Sequence, residues 1–146
     1  MIILLLSNNY GCTEQNKKEK KIIDGHSKDN NYQQGKKVGL WKEFYKNRQI
    51  KSEGTFKDGK KEGVHKEWLS NGVLILEGNY ESGLANGLMK WYHDKGYLAD
   101  VGLMKNGLRH GIWKVYAVED GKLTPEVKFN EGKQQEVLKT YNSAVK

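Results

Sequence analysis

The sequence contains little that could hold a fold together covalently or through a thick apolar core. One cysteine, Cys12, among 146 residues excludes an internal disulfide. Hydrophobic residues make up 36% of the chain and the mean hydropathy is −0.83. This supply is too small for a thick two-layer core, but it suffices for a single sheet whose neighbouring units bury one another.

The familiar signatures of enzymes and metal proteins are also missing. The chain has no Gly-x-Ser-x-Gly pattern and no phosphate-binding glycine-rich loop. None of the four histidines lies at a metal-binding distance in sequence from another histidine or a cysteine pair. They are His26, His65, His93 and His110. We therefore expect no enzymatic activity, no cofactor and no metal site.

Glycine, by contrast, is abundant, and it is periodic. Fifteen of the 17 glycines lie between Gly35 and Gly132. Two series recur every 24 residues: Gly35, Gly59, Gly83 and Gly107, and Gly39, Gly63, Gly87 and Gly111. Gly132 follows after 25 residues. A fixed period of this length indicates a repeat array of about four units.

Each unit contains two short apolar runs separated by turn residues, which predicts a strand, a turn and a second strand. A two-residue loop at Asn47-Arg48 would place Lys42 opposite Glu53, and Asn71-Gly72 would do the same for Lys66 and Glu77. An opposed Lys and Glu stabilise a pair of strands by roughly 0.2–1 kcal/mol. The same arithmetic predicts these further pairs: Trp41–Gly54, Tyr45–Ile50, His65–Gly78, Leu69–Leu74, Met89–Gly102, His93–Leu98 and Lys114–Glu126.

The pattern Gly-x-Trp-x-x-Phe/Tyr-x-x-Asn-Gly-x-Leu-x-x-Glu-Gly-x-Tyr/Phe-x-x-Gly, which begins at Gly39, Gly63 and Gly111, resembles the MORN repeat. The resemblance is to the bacterial variant often labelled a YwqK-type antitoxin. It implies an all-β, single-layer array of stacked antiparallel β-hairpins that acts as an interaction scaffold, with protein or membrane-lipid partners. His65 and Met89 depart from the tryptophan of the pattern, and Arg48 replaces a turn glycine.

The N-terminus resembles the end of a bacterial lipoprotein signal peptide. An apolar run from Ile2 to Leu6 is followed by small and polar residues and by Gly11-Cys12. The run is too short to span a bilayer, which needs about 20 apolar residues. We expect residues 1–12 to be a signal remnant and Cys12 to be the lipid attachment site in the cell envelope. The alternative is an apolar N-terminus with an incidental free cysteine in a cytoplasmic protein.

Three further segments complete the expected organisation. Residues 13–26 are rich in lysine and glutamate and predict a flexible tether. Residues 27–132 form the repeat domain, which begins with a half-repeat strand from Ser27 to Tyr32 and has nine strands in all. In residues 133–146, apolar side chains recur with helical spacing and predict a short capping helix. They are Val137, Leu138, Tyr141, Ala144 and Val145.

The net charge of +7 is spread along the chain, which makes nucleic-acid binding unlikely. The third unit has the most apolar departures from the repeat: Trp91 replaces a glutamate, Val101 replaces the paired glutamate and Leu103 replaces a polar residue. Val101 also leaves Lys90 without its cross-strand carboxylate. We expect these four residues either to bind a partner or to lie under the C-terminal helix.

Two functions from different classes follow from the sequence. The first is a membrane-tethered scaffold that binds a protein or lipid headgroups without catalysis. The second, suggested by the family label, is an antitoxin-like protein that neutralises a toxin in the cytoplasm. A functional lipoprotein signal would favour the first.

Overall fold

The computed structural model describes residues 22–23, 26–27, 30–117 and 122–140, and all of their regular structure is β. These residues contain no helix, so none that could cross a membrane. Twelve antiparallel strands form one sheet in which neighbours in sequence are neighbours in space, except that β2 and β3 both pair with β4. The predicted all-β, single-layer array is confirmed. The strands are β1 (Ile22–Ile23), β2 (His26–Ser27), β3 (Asn31–Gln33), β4 (Lys36–Phe44), β5 (Ile50–Lys57), β6 (Lys60–Trp68), β7 (Leu74–Glu81), β8 (Leu84–Tyr92), β9 (Leu98–Lys105), β10 (Leu108–Tyr116), β11 (Leu123–Asn130) and β12 (Lys133–Thr140).

Two kinds of turn alternate along the array. The turns between units have positive φ at both central residues, for example 51° at Asp58 and 81° at Gly59. This is the type I′ geometry, which matches the twist of a tight hairpin and favours glycine at the second position. The five turns of this kind are Gln34-Gly35, Asp58-Gly59, Ser82-Gly83, Asn106-Gly107 and Glu131-Gly132.

The turns within the first three units are longer by one residue than the sequence predicts. The amide of Tyr45 donates to the carbonyl of Gln49 at 2.8 Å, and the amide of Arg48 donates to the carbonyl of Tyr45 at 2.9 Å. Arg48 has φ 68° in this three-residue loop, and Gly72 and Gly96 take the same position in the next two units. A loop of this length with a left-handed third residue adds a bulge to the hairpin.

The bulge corrects one part of the predicted register. The strand residues beside these loops pair as Phe44–Ile50, Trp68–Leu74 and Tyr92–Leu98. The predicted pairs Tyr45–Ile50, Leu69–Leu74 and His93–Leu98 are therefore wrong by one residue. Away from the loops the predicted pairs are confirmed: Trp41–Gly54, Lys42–Glu53, His65–Gly78, Lys66–Glu77, Met89–Gly102 and Lys114–Glu126.

The core is a row of large side chains that lies across the middle of the sheet. Trp41, His65, Met89 and Trp113 are each at most 4% exposed, and they alternate with strand glycines. Each glycine is covered by the large residue of the following unit. A Cβ on Gly102, for example, would lie 2.3 Å from Cδ2 of Trp113. The contact between a large side chain and the strand glycine of the preceding unit therefore packs each unit against its neighbour. In this way a single sheet obtains a buried core.

The N-terminal end of the array is closed by a partial repeat. The predicted half-repeat strand is divided between β2 and β3, and both pair with β4. Asn30 stands 24 residues before Gly54. Its side-chain amide makes the two hydrogen bonds to β4 that the backbone of a neighbouring strand would otherwise make. Its Nδ2 donates to the carbonyl of Lys42 at 3.0 Å and its Oδ1 accepts from the amide of Lys42 at 2.9 Å. Strands β1 and β2 reach into the segment predicted as a tether; residues 1–21, with Cys12, lie outside the described residues.

The predicted C-terminal helix is wrong, because Lys133–Thr140 is strand β12, paired with β11. Displaced by 25 residues, this stretch repeats the first strand of a unit, with Val137 at the position of Ile112 and Leu138 at that of Trp113. The backbone hydrogen bonds to β11 therefore determine the conformation of this segment, and the helical spacing of a few apolar residues does not. Residues 141–146, which supplied the rest of that spacing, lie outside the described part of the chain.

Candidate binding surfaces

The two faces of the sheet differ in composition and exposure. Successive residues of a strand point to opposite faces, so Trp41 and Leu40 lie on different sides. We call the side with the buried row Trp41, His65, Met89 and Trp113 the tryptophan face, and the other side the aliphatic face. The aliphatic face carries Leu40, Val64, Leu88 and Ile112, which we call the aliphatic row.

On the tryptophan face, the first two units cover their aromatic residues with an ion pair. Nζ of Lys37 lies 4.4 Å from the centroid of the Trp41 ring and 3.2 Å from Oε1 of Glu43. Lys61 repeats the arrangement, 4.7 Å from the Tyr80 ring centroid and 3.3 Å from Oε1 of Glu67. A lysine held both by a ring face and by a carboxylate has its charge satisfied within the unit.

The pKa of Glu43 reflects this pairing. Partial burial by itself would raise the pKa, but the hydrogen bond from Lys37, the charge of Lys37 and the hydroxyl of Ser52 together hold it below its ordinary value. Glu43 is thus a carboxylate at neutral pH. It serves as an ion-pair partner, and its lowered pKa is the opposite of what a general acid requires.

His65 takes the place of a tryptophan in both packing and hydrogen bonding. Its ring lies 5.2 Å from the rings of Phe56 and Tyr80, and its Nε2 is 2.7 Å from the carbonyl oxygen of Thr55. Two units on, the indole nitrogen of Trp113 donates at 3.1 Å to the equivalent carbonyl, that of Leu103. Burial lowers the pKa of His65, so the ring is neutral and donates through Nε2. His65 therefore has a packing role.

A shallow depression of roughly 360 Å³ lies on this face between the first two units, beside the two ion pairs. Its polar walls are the Lys and Glu side chains that already satisfy one another. Within the described residues, no three His, Cys, Asp or Glu side chains gather as they would to bind a metal ion.

Trp91 lies on the tryptophan face and packs against Trp113, with ring centroids 5.3 Å apart. The lysine and the glutamate of the ion pair are replaced together in this unit, by Ala85 and Trp91. In the fourth unit Arg109 lies 4.3 Å from the Trp113 ring centroid and pairs with Asp100 at 3.3 Å. Trp91 therefore fills space that an ion pair fills in the first two units.

The aliphatic row is exposed along its whole length. Its four side chains are 41–52% exposed. They stand on alternate strands β4, β6, β8 and β10. The intervening strands carry Thr55, Asn79 and Leu103 between them, and β11 carries Lys128 beside Ile112. Only Leu103, 48% exposed, is apolar, and its backbone pairs with Leu88.

A ladder of lysine and glutamate runs beside the aliphatic row. Lys42 pairs with Glu53 at 2.5 Å, while Glu77 pairs with both Lys66 and Lys90 at 3.2 Å. The prediction that Lys90 lacks a carboxylate is wrong, because the preceding unit supplies Glu77. This contact raises the pKa of Lys90, and the two lysines lower the pKa of Glu77.

The four candidate residues of the third unit are thus divided between the faces. Lys90, Val101 and Leu103 lie together on the aliphatic face, with Lys90 opposite Val101 in register, whereas Trp91 is on the other side. The exposed apolar neighbours of these residues on the aliphatic face are Leu88 and Ile112. The 24-residue period, applied together with strand alternation, is the signal that identifies them.

The MORN repeat variant family model matches residues 37–58 and 61–82, which are the first two units. No curated protein matches the chain. The turns between units and the cross-strand register of the matched units continue through β8–β11, and Val127 takes the place of the strand glycine in the fourth unit. The chain therefore contains two segments that match the MORN repeat variant, followed by two units of the same stacked-hairpin fold.

Proposed function

We propose that this protein is a non-catalytic binding scaffold, held at the cell envelope by a lipid on Cys12, that recognises a protein partner through its aliphatic face. MORN repeats generally serve as binding modules, and the aliphatic row is the observation that carries the proposal for this chain. Four half-exposed aliphatic side chains in a line are more than a solvated surface requires.

A protein fits this face better than lipid headgroups do. The carboxylates of Glu53 and Glu77 lie beside the row, each in contact with a lysine. An anionic membrane surface attracts basic residues and repels these carboxylates. A protein surface can present both signs of charge at the spacing of the ladder.

Of the earlier candidates, Lys90, Val101 and Leu103 belong to the proposed surface. Trp91 is assigned to packing because it lies against Trp113. An antitoxin-like role in the cytoplasm would use the same scaffold with a different partner and location, and the experiments below separate the two.

Site-specific photo-crosslinking in cells tests the surface. A photoreactive phenylalanine analogue at Leu88 should give a discrete adduct, and the same analogue at Asp58, in an exposed turn, should give none. Identical adducts from both positions, or none from Leu88, would overturn the assignment of this face.

Membrane fractionation with palmitate labelling tests the anchor. The wild-type protein should be labelled and sediment with membranes, whereas Cys12→Ala should be unlabelled and remain in the supernatant. An unlabelled wild-type protein in the soluble fraction would reject the lipid anchor and favour the cytoplasmic alternative.

A further inference from the structure

We infer that the partner on the aliphatic face is an amphipathic α-helix with acidic flanks, and that it docks most tightly over the third and fourth units. This inference rests on the proposed scaffold function and specifies the occupant of its surface. It depends on three observations: the spacing of the aliphatic row, the apolar cluster around Leu103 and the charge beside that cluster.

The spacing of the row suits a helix better than an extended peptide. Members of the row stand two strands apart, which is about 9.6 Å. Residues one heptad apart in a helix are separated by about 10.5 Å, so a helix inclined by about 25° to the row would place them in step with it. Side chains on one face of an extended chain recur every ~6.7 Å, which matches neither one strand spacing nor two.

The apolar surface is continuous only in the second half of the row. Leu103 pairs with Leu88 on β8 and with His110, two residues before Ile112, on β10, and Val101 lies two residues before Leu103 on the same strand and face. In the equivalent place between Val64 and Leu88 stands Asn79, beside a dimple of about 30 Å³. The strongest apolar contact for a partner is therefore centred on Leu103.

The charge beside this cluster favours an acidic partner. Lys114 is exposed, lies between Val101 on β9 and Glu126 on β11 in register, and makes no ion pair within the described residues. Lys128, also exposed, lies next to Ile112 on β10 and opposite Glu136 on β12 in register. The whole chain carries a net charge of +7, which opposes contact between two copies of it. A helix with an apolar stripe flanked by glutamates would bury the apolar cluster around Leu103 and form ion pairs with the lysines.

A designed peptide provides the direct test. The probe is a fluorescein-labelled 21-residue helix with leucine at heptad positions a and d and glutamate at e and g, which disfavours pairing with itself. Its twin carries lysine at e and g. Fluorescence anisotropy should show that the protein binds the acidic peptide and binds the basic twin at least about tenfold more weakly.

Paired variants locate the site. Leu103→Asn, which installs the residue of the second unit, should weaken binding of the acidic peptide about tenfold, and Asn79→Leu should strengthen it by extending the apolar surface. Lys114→Glu should weaken binding of the acidic peptide and improve that of the basic one. Both Leu103→Asn and Asn79→Leu should keep the wild-type urea midpoint, because each side chain is already accepted in that position by another unit.

Several outcomes would overturn the inference: no binding of the acidic peptide, equal binding of the two peptides, or binding unaffected by Leu103→Asn. Sedimentation velocity that shows a dimer abolished by Leu103→Asn would assign the surface to a second copy. Binding to vesicles with about 30% phosphatidylserine, in the absence of peptide binding, would assign it to lipid. If crosslinks from Leu88 persist while the peptide fails to bind, the scaffold proposal stands and only the helical partner is rejected.

Discussion

The first two units and the last two share one backbone but fill it differently. On the tryptophan face, units one and two place a Lys–Glu ion pair over aromatic rings, whereas unit three has Ala85 with Trp91 and unit four has Arg109 with Val115. On the aliphatic face, Thr55 and Asn79 give way to Leu103. The shared backbone determines which positions are in contact in every unit, and the residues at two contacting positions are replaced together.

The core row should show the largest difference between the halves. A Cβ on Gly102 would meet the Trp113 ring at 2.3 Å, whereas a Cβ on Gly78 would meet the flexible end of Met89 at 1.9 Å. An indole packed on all sides cannot move, but a thioether can change rotamer. We expect Gly102→Ala to cost about 3 kcal/mol of unfolding free energy and Gly78→Ala about 1 kcal/mol.

Urea unfolding of both variants measures this difference. Equal costs would show that the two halves of the core are equally adaptable and would contradict the stacking described above.

Exchanging the ion pair between the halves tests whether its members are coupled. Trp91→Glu alone should destabilise the protein by about 2 kcal/mol, because it removes the contact with Trp113 and leaves a half-buried carboxylate without a cation. Adding Ala85→Lys should restore about 1 kcal/mol.

The reverse exchange, Lys61→Ala with Glu67→Trp, is the matched control in unit two. If the changes in unfolding free energy of the single substitutions add in both units, positions 85 and 91 are energetically independent. The paired replacement of lysine and glutamate would then not be explained by contact between the two positions.

The turns provide a smaller contrast. Arg48 has φ 68°, where Gly72 and Gly96 stand in the next units. A left-handed conformation costs a non-glycine residue about 1–2 kcal/mol, part of which is offset because glycine gains more freedom in the unfolded chain. Arg48→Gly should therefore stabilise the protein by about 0.5 kcal/mol.

Gly72→Arg should destabilise the protein by a similar amount, and Gly72→Val should cost more than either change at Arg48 saves, because a β-branched residue is poorly tolerated at positive φ. Differential scanning calorimetry resolves these shifts. Stabilisation by Gly72→Arg would reject the common loop geometry.

The last prediction concerns the gradual dependence of stability on pH that His65 in unit two should produce. Burial lowers the pKa of His65 in the folded state. The unfolded chain therefore binds a proton more readily, and stability falls as the pH drops through the ordinary histidine pKa of about 6.5.

Replacement of His65 by methionine, the residue that unit three uses in the same position, should remove this dependence between pH 7.5 and 5.5. Thermal unfolding across that range is the measurement, and an unchanged slope in His65→Met would assign the titration to another group.

The sequence alone determined most of the architecture. The 24-residue glycine period and the alternation of apolar residues define the units, and cross-strand arithmetic gave correct pairs from Lys42–Glu53 to Lys114–Glu126. These features are local, because turn chemistry and strand alternation depend on a few neighbouring residues.

What only the tertiary structure decided depends on contacts between units. The bulge beside Arg48, and its equivalents beside Gly72 and Gly96, shift the pair nearest the loop in the first three hairpins. Pairing with β11 makes Lys133–Thr140 a strand where side-chain spacing suggested a helix. The neighbouring unit likewise supplies Glu77 to Lys90, and strand alternation separates Trp91 from Leu103. A single repeat read by itself does not show these outcomes, because each of them depends on which strand lies beside it in the sheet.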